Sequence, residues 1–184
     1  MSGFGYSPST DEYKVVRIYH KGNTCCFQVF ILVNESNKWT EEKEIPYPFF
    51  HNECQYSKGV LVNGEIRWLD YASKTVAFNL ANEEFHQIAS PPLVEGSSYS
   101  DYMKLFVLGD CLCLVHYRYS ARERTHVDIW LLKKNNDISV QQNGYCSWKK
   151  ECTVQVERGI DLIPLAFTKK GKILFFQVKD FRDE

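Results

Sequence analysis

The chain carries almost no net charge, because 22 Lys and Arg face 23 Asp and Glu, leaving −1 with the 5 His neutral. No global field therefore draws it to a polyanion or a membrane surface, and a nucleic-acid role would need a local patch. It has no apolar run near the roughly twenty residues that span a bilayer, which excludes a membrane helix and predicts a soluble protein. Gly-x-Ser-x-Gly, Cys-x-x-Cys and a phosphate-cradling glycine loop are all missing. These absences remove the common signatures of a hydrolase, a zinc site and a nucleotide site, so no catalytic residue, cofactor or metal is expected. Nowhere do apolar residues recur at i, i+3, i+4 and i+7 over a long stretch, which predicts little helix.

Cysteine is not scarce, but its count of 7 is odd and no secretory signal precedes it. Cys111 and Cys113 alternate with Leu112 and Leu114, the pattern of a packed strand in which a free thiol acts as a small hydrophobe. Cys25 and Cys26 point to opposite faces of a strand. Cys146 and Cys152 have no metal-ligand spacing either. Buried thiols predict a reducing compartment, cytosol or nucleus.

What the sequence does contain is a phrase repeated after roughly forty to sixty residues, the spacing of β-propeller blades. One copy runs Gly59-Val-Leu-Val-Asn-Gly-Glu-Ile-Arg-Trp-Leu69, Thr75-Val-Ala-Phe-Asn-Leu80 and Asn82-Glu-Glu-Phe-His-Gln-Ile88. Another runs Leu105 to Val115, Val127 to Leu132 and Ser147 to Cys152, and a third begins at Pro164-Leu-Ala-Phe167 and Lys170 to Phe176. An earlier one spans Gly3 to Ile45, giving four strand candidates joined by polar turns. Asn63-Gly64 is a strong hairpin signal, since both residues tolerate positive φ, and Gly109-Asp110 and Lys170-Gly171 occupy equivalent corners.

The charged stretches Trp39-Thr-Glu-Glu-Lys-Glu44 and Trp148-Lys-Lys-Glu151 suit exposed outer strands, with Trp39, Phe85 and Trp148 as anchors. Trp68 and Trp130 lie among apolar residues and are expected in the core. Ile45-Pro-Tyr-Pro48 and Ser90-Pro-Pro92 read as connections between blades. The third copy carries two insertions, Tyr117 to His126 and Lys133 to Gly144, and insertions in repeat folds map to loops. The first concentrates Arg and Tyr, side chains enriched at interface hot spots. Tyr117, Arg118, Tyr119, Arg122 and Arg124 are thus the candidate partner-binding residues. His20, His86, His116 and His126 sit near predicted strand ends, where a solvated imidazole is expected.

Phe4-Gly-Tyr-Ser-Pro-Ser-Thr-Asp-Glu-Tyr-Lys-Val-Val-Arg-Ile18 resembles the opening of the plant F-box-associated domain. Val62-Asn-Gly-Glu-Ile-Arg-Trp-Leu69, Ala77-Phe-Asn-Leu80 with Glu83-Glu-Phe85, Val127-Asp-Ile-Trp130 and Pro164-Leu-Ala-Phe167 before Gly171-Lys-Ile-Leu174 resemble its later parts, in order. The resemblance implies an all-β, kelch-like partial propeller of about three to four blades over residues 1–184. Its blade-like units would be 3–48, 59–92, 103–156 and an incomplete 163–184. It also implies recognition of a protein to be ubiquitinated, while an F-box elsewhere binds the Skp1 adaptor of a cullin-based ligase. Some members of that family recognise secreted ribonucleases in pollen self-incompatibility. No F-box precedes Met1, so Skp1 binding is expected only of a longer form, and a decoy that binds the same partners without the ligase is the alternative. A small enzyme using a loop His or Cys is a third reading. The blade count predicts an open arc or self-association through exposed sheet edges.

Overall fold

The computed structural model describes residues 1–32, 38–46, 58–70, 74–92, 101–119, 124–134 and 146–179. These contain strands and turns and no helix. Antiparallel pairing in chain order makes three four-stranded sheets and one two-stranded sheet. The first comprises β1 (Ser2–Ser7), β2 (Glu12–Lys21), β3 (Thr24–Ile31) and β4 (Lys43–Glu44). The second comprises β5 (Val60–Val62), β6 (Glu65–Leu69), β7 (Thr75–Asn79) and β8 (Glu84–Ile88). The third comprises β9 (Tyr102–Leu108), β10 (Cys111–Tyr119), β11 (Arg124–Lys134) and β12 (Cys146–Glu157), and β13 (Ile160–Phe167) pairs with β14 (Ile173–Lys179). Four antiparallel strands in sequence order are the construction of a propeller blade. The chain divides into two compact units, Met1–Ala89 and Ser90–Glu184.

In the first unit, alternate residues of β2 and β3 (Val16, Ile18, Cys25, Phe27 and Val29) pack with Ile66, Trp68, Val76, Phe78 and Leu80 of the second sheet. The Phe27 ring meets Phe78 and Phe85 edge-on, at 5.6 and 4.9 Å. Two glycines make the approach possible. A Cβ at Gly3 would lie 2.7 Å from the Trp68 ring, and one at Gly5 would lie 2.7 Å from Leu80. The Phe-Gly-Tyr opening is therefore a packing requirement, since only a bare backbone fits against those side chains. The Trp68 indole then donates to the Ser2 carbonyl at 3.1 Å. Asn63 and Gly64 have φ of 52° and 77°, the paired positive values of the hairpin turn that their sequence predicts.

Lys14 also joins the two sheets of this unit. Its ammonium donates to the Leu80 carbonyl at 2.8 Å and pairs with Glu83 at 3.0 Å and Glu12 at 3.1 Å. Although burial pulls its pKa down, the two carboxylates outweigh burial and leave it above the usual lysine value.

In the second unit, Leu108, Cys113, Val115, Tyr117, Val127, Ile129, Leu131 and Val156 form a core with Leu162, against which Ile173 and Phe175 pack. Tyr117 is fully buried. Its hydroxyl donates to the Leu162 carbonyl at 2.9 Å and accepts from the Leu162 amide at 3.1 Å, so one side chain satisfies both backbone groups. Asp161 beside it receives Tyr102 and Lys104.

Several expectations change in detail. The outer strand of the first sheet is not continuous from Lys38 to Ile45: Trp39 makes one isolated bridge with Phe30, and regular pairing covers only Lys43–Glu44. The segment Tyr117 to His126 is not one loop, because β10 runs through Tyr119 and β11 resumes at Arg124. Similarly β11 continues to Lys134, and residues 135–144 of the second expected insertion lie outside the described residues, as do the turn at 34–37, residues 47–48 of the first Pro-rich connection, and Cys54. His116 is buried within β10 rather than solvated at a strand end.

Candidate partner-binding surface

Alternation along β10 separates the predicted binding residues onto two faces. Cys113, Val115 and Tyr117 face the core shared with Leu162, whereas Leu112, Leu114, His116 and Arg118 share the other face. Register carries that second face across the sheet. His116 lies opposite Asp128 and then Thr153, and Arg118 lies opposite His126 and then Gln155. Toward the β10–β11 connection the face is polar, and toward the far end it becomes Leu114 and Trp130, then Leu112 and Leu132.

Asp128 organises the polar end. Its carboxylate is fully buried yet accepts Arg118 Nε at 2.9 Å, Lys150 Nζ at 2.7 Å and Thr153 Oγ1 at 2.6 Å. Burial pushes its pKa up, but the donors on Lys150, Thr153 and Arg118 outweigh that and hold it below the usual carboxylate range. The two cations are only partly covered, with side chains 29% exposed for Arg118 and 33% for Lys150. Arg118 and Lys150 thus stand as two cations on the Asp128 carboxylate, and the Asp101 carboxylate stands against the neighbouring His116. The Lys150 ammonium also lies 5.7 Å from the Trp130 ring centroid, and the His126 and Gln155 side chains meet at 2.7 Å.

A β-bulge creates this cluster. Ile129 pairs with Cys152, but Trp130 pairs with Lys150, so the register slips past Glu151. Side chains alternate with period two, and the slip turns Lys150 rather than Glu151 onto the face that holds Asp128. Without it a second carboxylate would stand near the first. Glu151 instead pairs with Lys133 at 2.6 Å. His116 completes the neighbourhood, with Nε2 3.5 Å from Asp101. Burial lowers its pKa against the opposing charges of Asp101 and Asp128, with Arg118 lowering it further.

Of the five predicted residues, the structure places Arg118 on this face and Tyr117 beneath it. Tyr119 ends β10 and Arg124 opens β11, paired with Thr125 and Glu157 respectively. Arg122 lies outside the described residues. The residues that sequence reasoning missed are Asp128, Lys150 and Thr153. Continuing the Cys111 and Cys113 alternation would have assigned Tyr117 to the core, but nothing in the sequence marks the bulge.

At Asp128 the chemistry available is ion pairing rather than proton transfer. Asp128 is engaged by three donors and held ionised, which makes it a poor base, and Thr153 already donates its proton to it. The buried thiols of Cys113 and Cys25 are equally quiet, since burial pushes them up to about 12 and about 11. Among the described residues no group of three or more His, Cys, Asp or Glu could hold a metal ion. A cavity of about 280 Å³ bounded by Glu151, Cys152, Gly171, Lys172, Ile173 and Phe175 shares no residue with the Asp128 cluster.

Comparison with known proteins agrees with this architecture. The chain is 26% identical to the F-box protein CPR1 of Arabidopsis thaliana, with 97% of this chain and 47% of that protein covered. It is 28% identical to the Arabidopsis F-box protein At4g22390, over 94% of this chain and 46% of the relative. With the Arabidopsis F-box/kelch-repeat protein At3g23880 it shares 24% identity over 74% of this chain and 36% of the relative. The chain thus spans less than half the length of these relatives. Residues 1–180 match the F-box associated beta propeller domain, with the Phe-Gly-Tyr opening, the blade order and the all-β sheets in place, and the chain belongs to that family.

Proposed function

We propose that this chain is the substrate-recognition module of an F-box-type ubiquitin ligase, and that it binds its protein target through the polar end of the third sheet. The observation that carries the surface is the buried Asp128 holding Arg118 and Lys150, whose side chains are partly exposed. Cations fixed in this way lose little side-chain freedom on binding, and arginine is the cation most enriched among binding hot spots. Family membership and full-length F-box relatives support the broader role. In this reading the chain contributes binding, with ubiquitin transfer performed elsewhere in the ligase, in the cytosol or nucleus. Skp1 is recruited by an F-box in a longer form. Tyr119, Arg122 and Arg124, the other Arg and Tyr residues of that sequence segment, are proposed to contact the same target; Tyr117 acts by fixing β10 to β13.

Affinity capture with the chain as bait tests this. Exchanging Arg122 and Arg124 for Gln, with Arg118 intact, should lower recovery of a captured target roughly tenfold without moving the thermal melt. Unchanged recovery would refute the surface. Skp1 in the eluate of the chain alone would refute the division of labour.

A second reading rests on the hairpin β13–β14, where Leu174, Phe176 and Val178 on one face are 53, 57 and 36% exposed. Such a face favours self-association, and dilution in light scattering should then reveal a dimer that Phe176→Glu abolishes.

A further inference from the structure

We infer that Arg17, stacked on Trp39 at the outer face of the first sheet, is a binding site for a carboxylate on an acidic segment of a partner protein. The inference rests on the protein-binding reading above but concerns a different surface. In β2, Val16 and Ile18 point into the core, so Arg17 and Tyr19 stand on the opposite face. Across the sheet Arg17 pairs with Gln28 and Val15 pairs with Phe30, and Phe30 bridges to Trp39. These side chains form one assembly. The Arg17 guanidinium carbon sits 4.2 Å from the Trp39 ring centroid and 5.5 Å from that of Tyr19. Its Nε and Nη2 donate to Gln28 Oε1 at 3.1 and 2.5 Å.

The supports are themselves anchored. Gln28 donates its amide to the Thr40 carbonyl at 2.8 Å, and the Thr40 hydroxyl accepts from the Val29 amide at 2.9 Å. The Trp39 ring lies 5.4 Å from Phe30. An exposed arginine ordinarily sweeps many rotamers, and this one is fixed in the unliganded protein. A guanidinium has five N–H donors. Gln28 takes two, and of the remaining three, one on Nη1 and one on Nη2 lie on the end-on edge that matches the two oxygens of a carboxylate.

Local charge selects the ligand. Tyr19 donates to Glu42 at 2.7 Å, and Lys21 pairs with Glu42 at 2.8 Å, so Glu42 is matched by the lysine, whereas Arg17 hydrogen-bonds the neutral Gln28 amide. With Glu44 also on this face, opposite Cys26, the patch carries no net positive charge, which suits a singly charged carboxylate held by the guanidinium fork rather than a more highly charged anion. A phosphomonoester carries about two charges at neutral pH and would feel Glu42, and a nucleic acid needs a row of cations. The flanking Trp39, Tyr19 and Phe30 rings add the aromatic area that protein hot spots use.

A peptide array tests the site with nine-residue peptides of randomised flanks and a fixed central Glu, Gln, Lys or phosphoserine. The intact chain should retain the Glu set roughly tenfold over the Gln set, a preference that Arg17→Gln abolishes, Trp39→Ala reduces, and Arg17→Lys restores only in part because an ammonium lacks the fork. Thermal melts of the Arg17 variants should match the parent, since the side chain is exposed. Equal binding of the Glu and Gln sets, a preference that survives Arg17→Gln, or a phosphoserine set bound above Glu would each overturn the inference. Loss of target capture by the Arg122 and Arg124 variants reports on the other surface and leaves this preference unchanged.

Discussion

Each unit holds a buried ion at the centre of a charged cluster, Lys14 in the first and Asp128 in the second, and the two are opposite in sign and in use. Lys14 in the first unit is a buried cation among carboxylates, and it reaches from β2 to the second sheet to hold Leu80 and Glu83. Asp128 in the second unit is a buried anion among cations, all within one sheet, on strands β10, β11 and β12. The first arrangement ends in a closed contact between sheets and stabilises the fold. The second ends in two cations that emerge at the surface. Location of the partners, rather than the fact of burial, separates a structural ion cluster from one that can also recognise a partner.

The largest effect should come from stripping the partners off the buried anion. Replacing Arg118 and Lys150 together with Gln leaves Asp128 with only Thr153, and should cost about 3–5 kcal/mol in urea denaturation. A loss under 1 kcal/mol would show that the carboxylate is not buried as described. The corresponding change on the other side, Lys14→Met, removes the buried charge itself and leaves Glu12 and Glu83 with access to water. It should cost less, about 1–3 kcal/mol, chiefly from the abandoned Leu80 carbonyl. Equal losses in the two experiments would erase the distinction. Tyr117→Phe should also cost about 1–3 kcal/mol, because both Leu162 backbone groups lose their partner.

Much of this molecule was legible in its sequence, and the exceptions share a cause. The Asn63-Gly64 turn, the strands around Ile66 and Trp68, and the core role of both Trp68 and Trp130 follow from local chemistry and period-two alternation. Composition singled out Arg118, which the structure pairs with Asp128. Tyr117 was misassigned by the same reasoning, since Arg and Tyr clustering reads as surface while alternation along β10 turns the ring inward. Lys14 and Asp128 were invisible, because a charged residue in a strand is indistinguishable from a solvated one until register and neighbouring sheets supply its partners. The bulge beside Trp130 is a one-residue slip between strands, which no single strand encodes.

Smaller effects follow from pH and run in opposite directions in the two units. The pKa of Lys14 is raised in the folded state, so its stabilisation is complete below the unfolded value of about 10.4 and is lost as pH rises through the folded value. Asp128 has a lowered folded value, so its contribution is present above the unfolded value of about 3.9 and is lost as pH falls through the folded one. His116, also lowered, adds an earlier loss that begins as pH falls below about 6.5, because the unfolded chain takes up the proton first. Asp101, Asp128 and Arg118 face that ring and shape the step. Melting temperatures measured across pH should show the alkaline loss shrink in Lys14→Met and the loss that begins below about pH 6.5 shrink in His116→Gln. The reverse assignment would contradict the comparison. Least consequential is thiol chemistry, in which exposed Cys146 should react with Ellman's reagent well before buried Cys113.

The central claim, that the polar end of the third sheet is the recognition surface, is tested most directly by site-specific photocrosslinking in cells. A photoreactive residue at position 126, beside Arg118 and Gln155, should trap a distinct protein whose ubiquitination depends on the full-length receptor, and one at exposed position 84 in β8 should not. The same protein trapped equally from both positions, or from position 84 alone, would contradict the account.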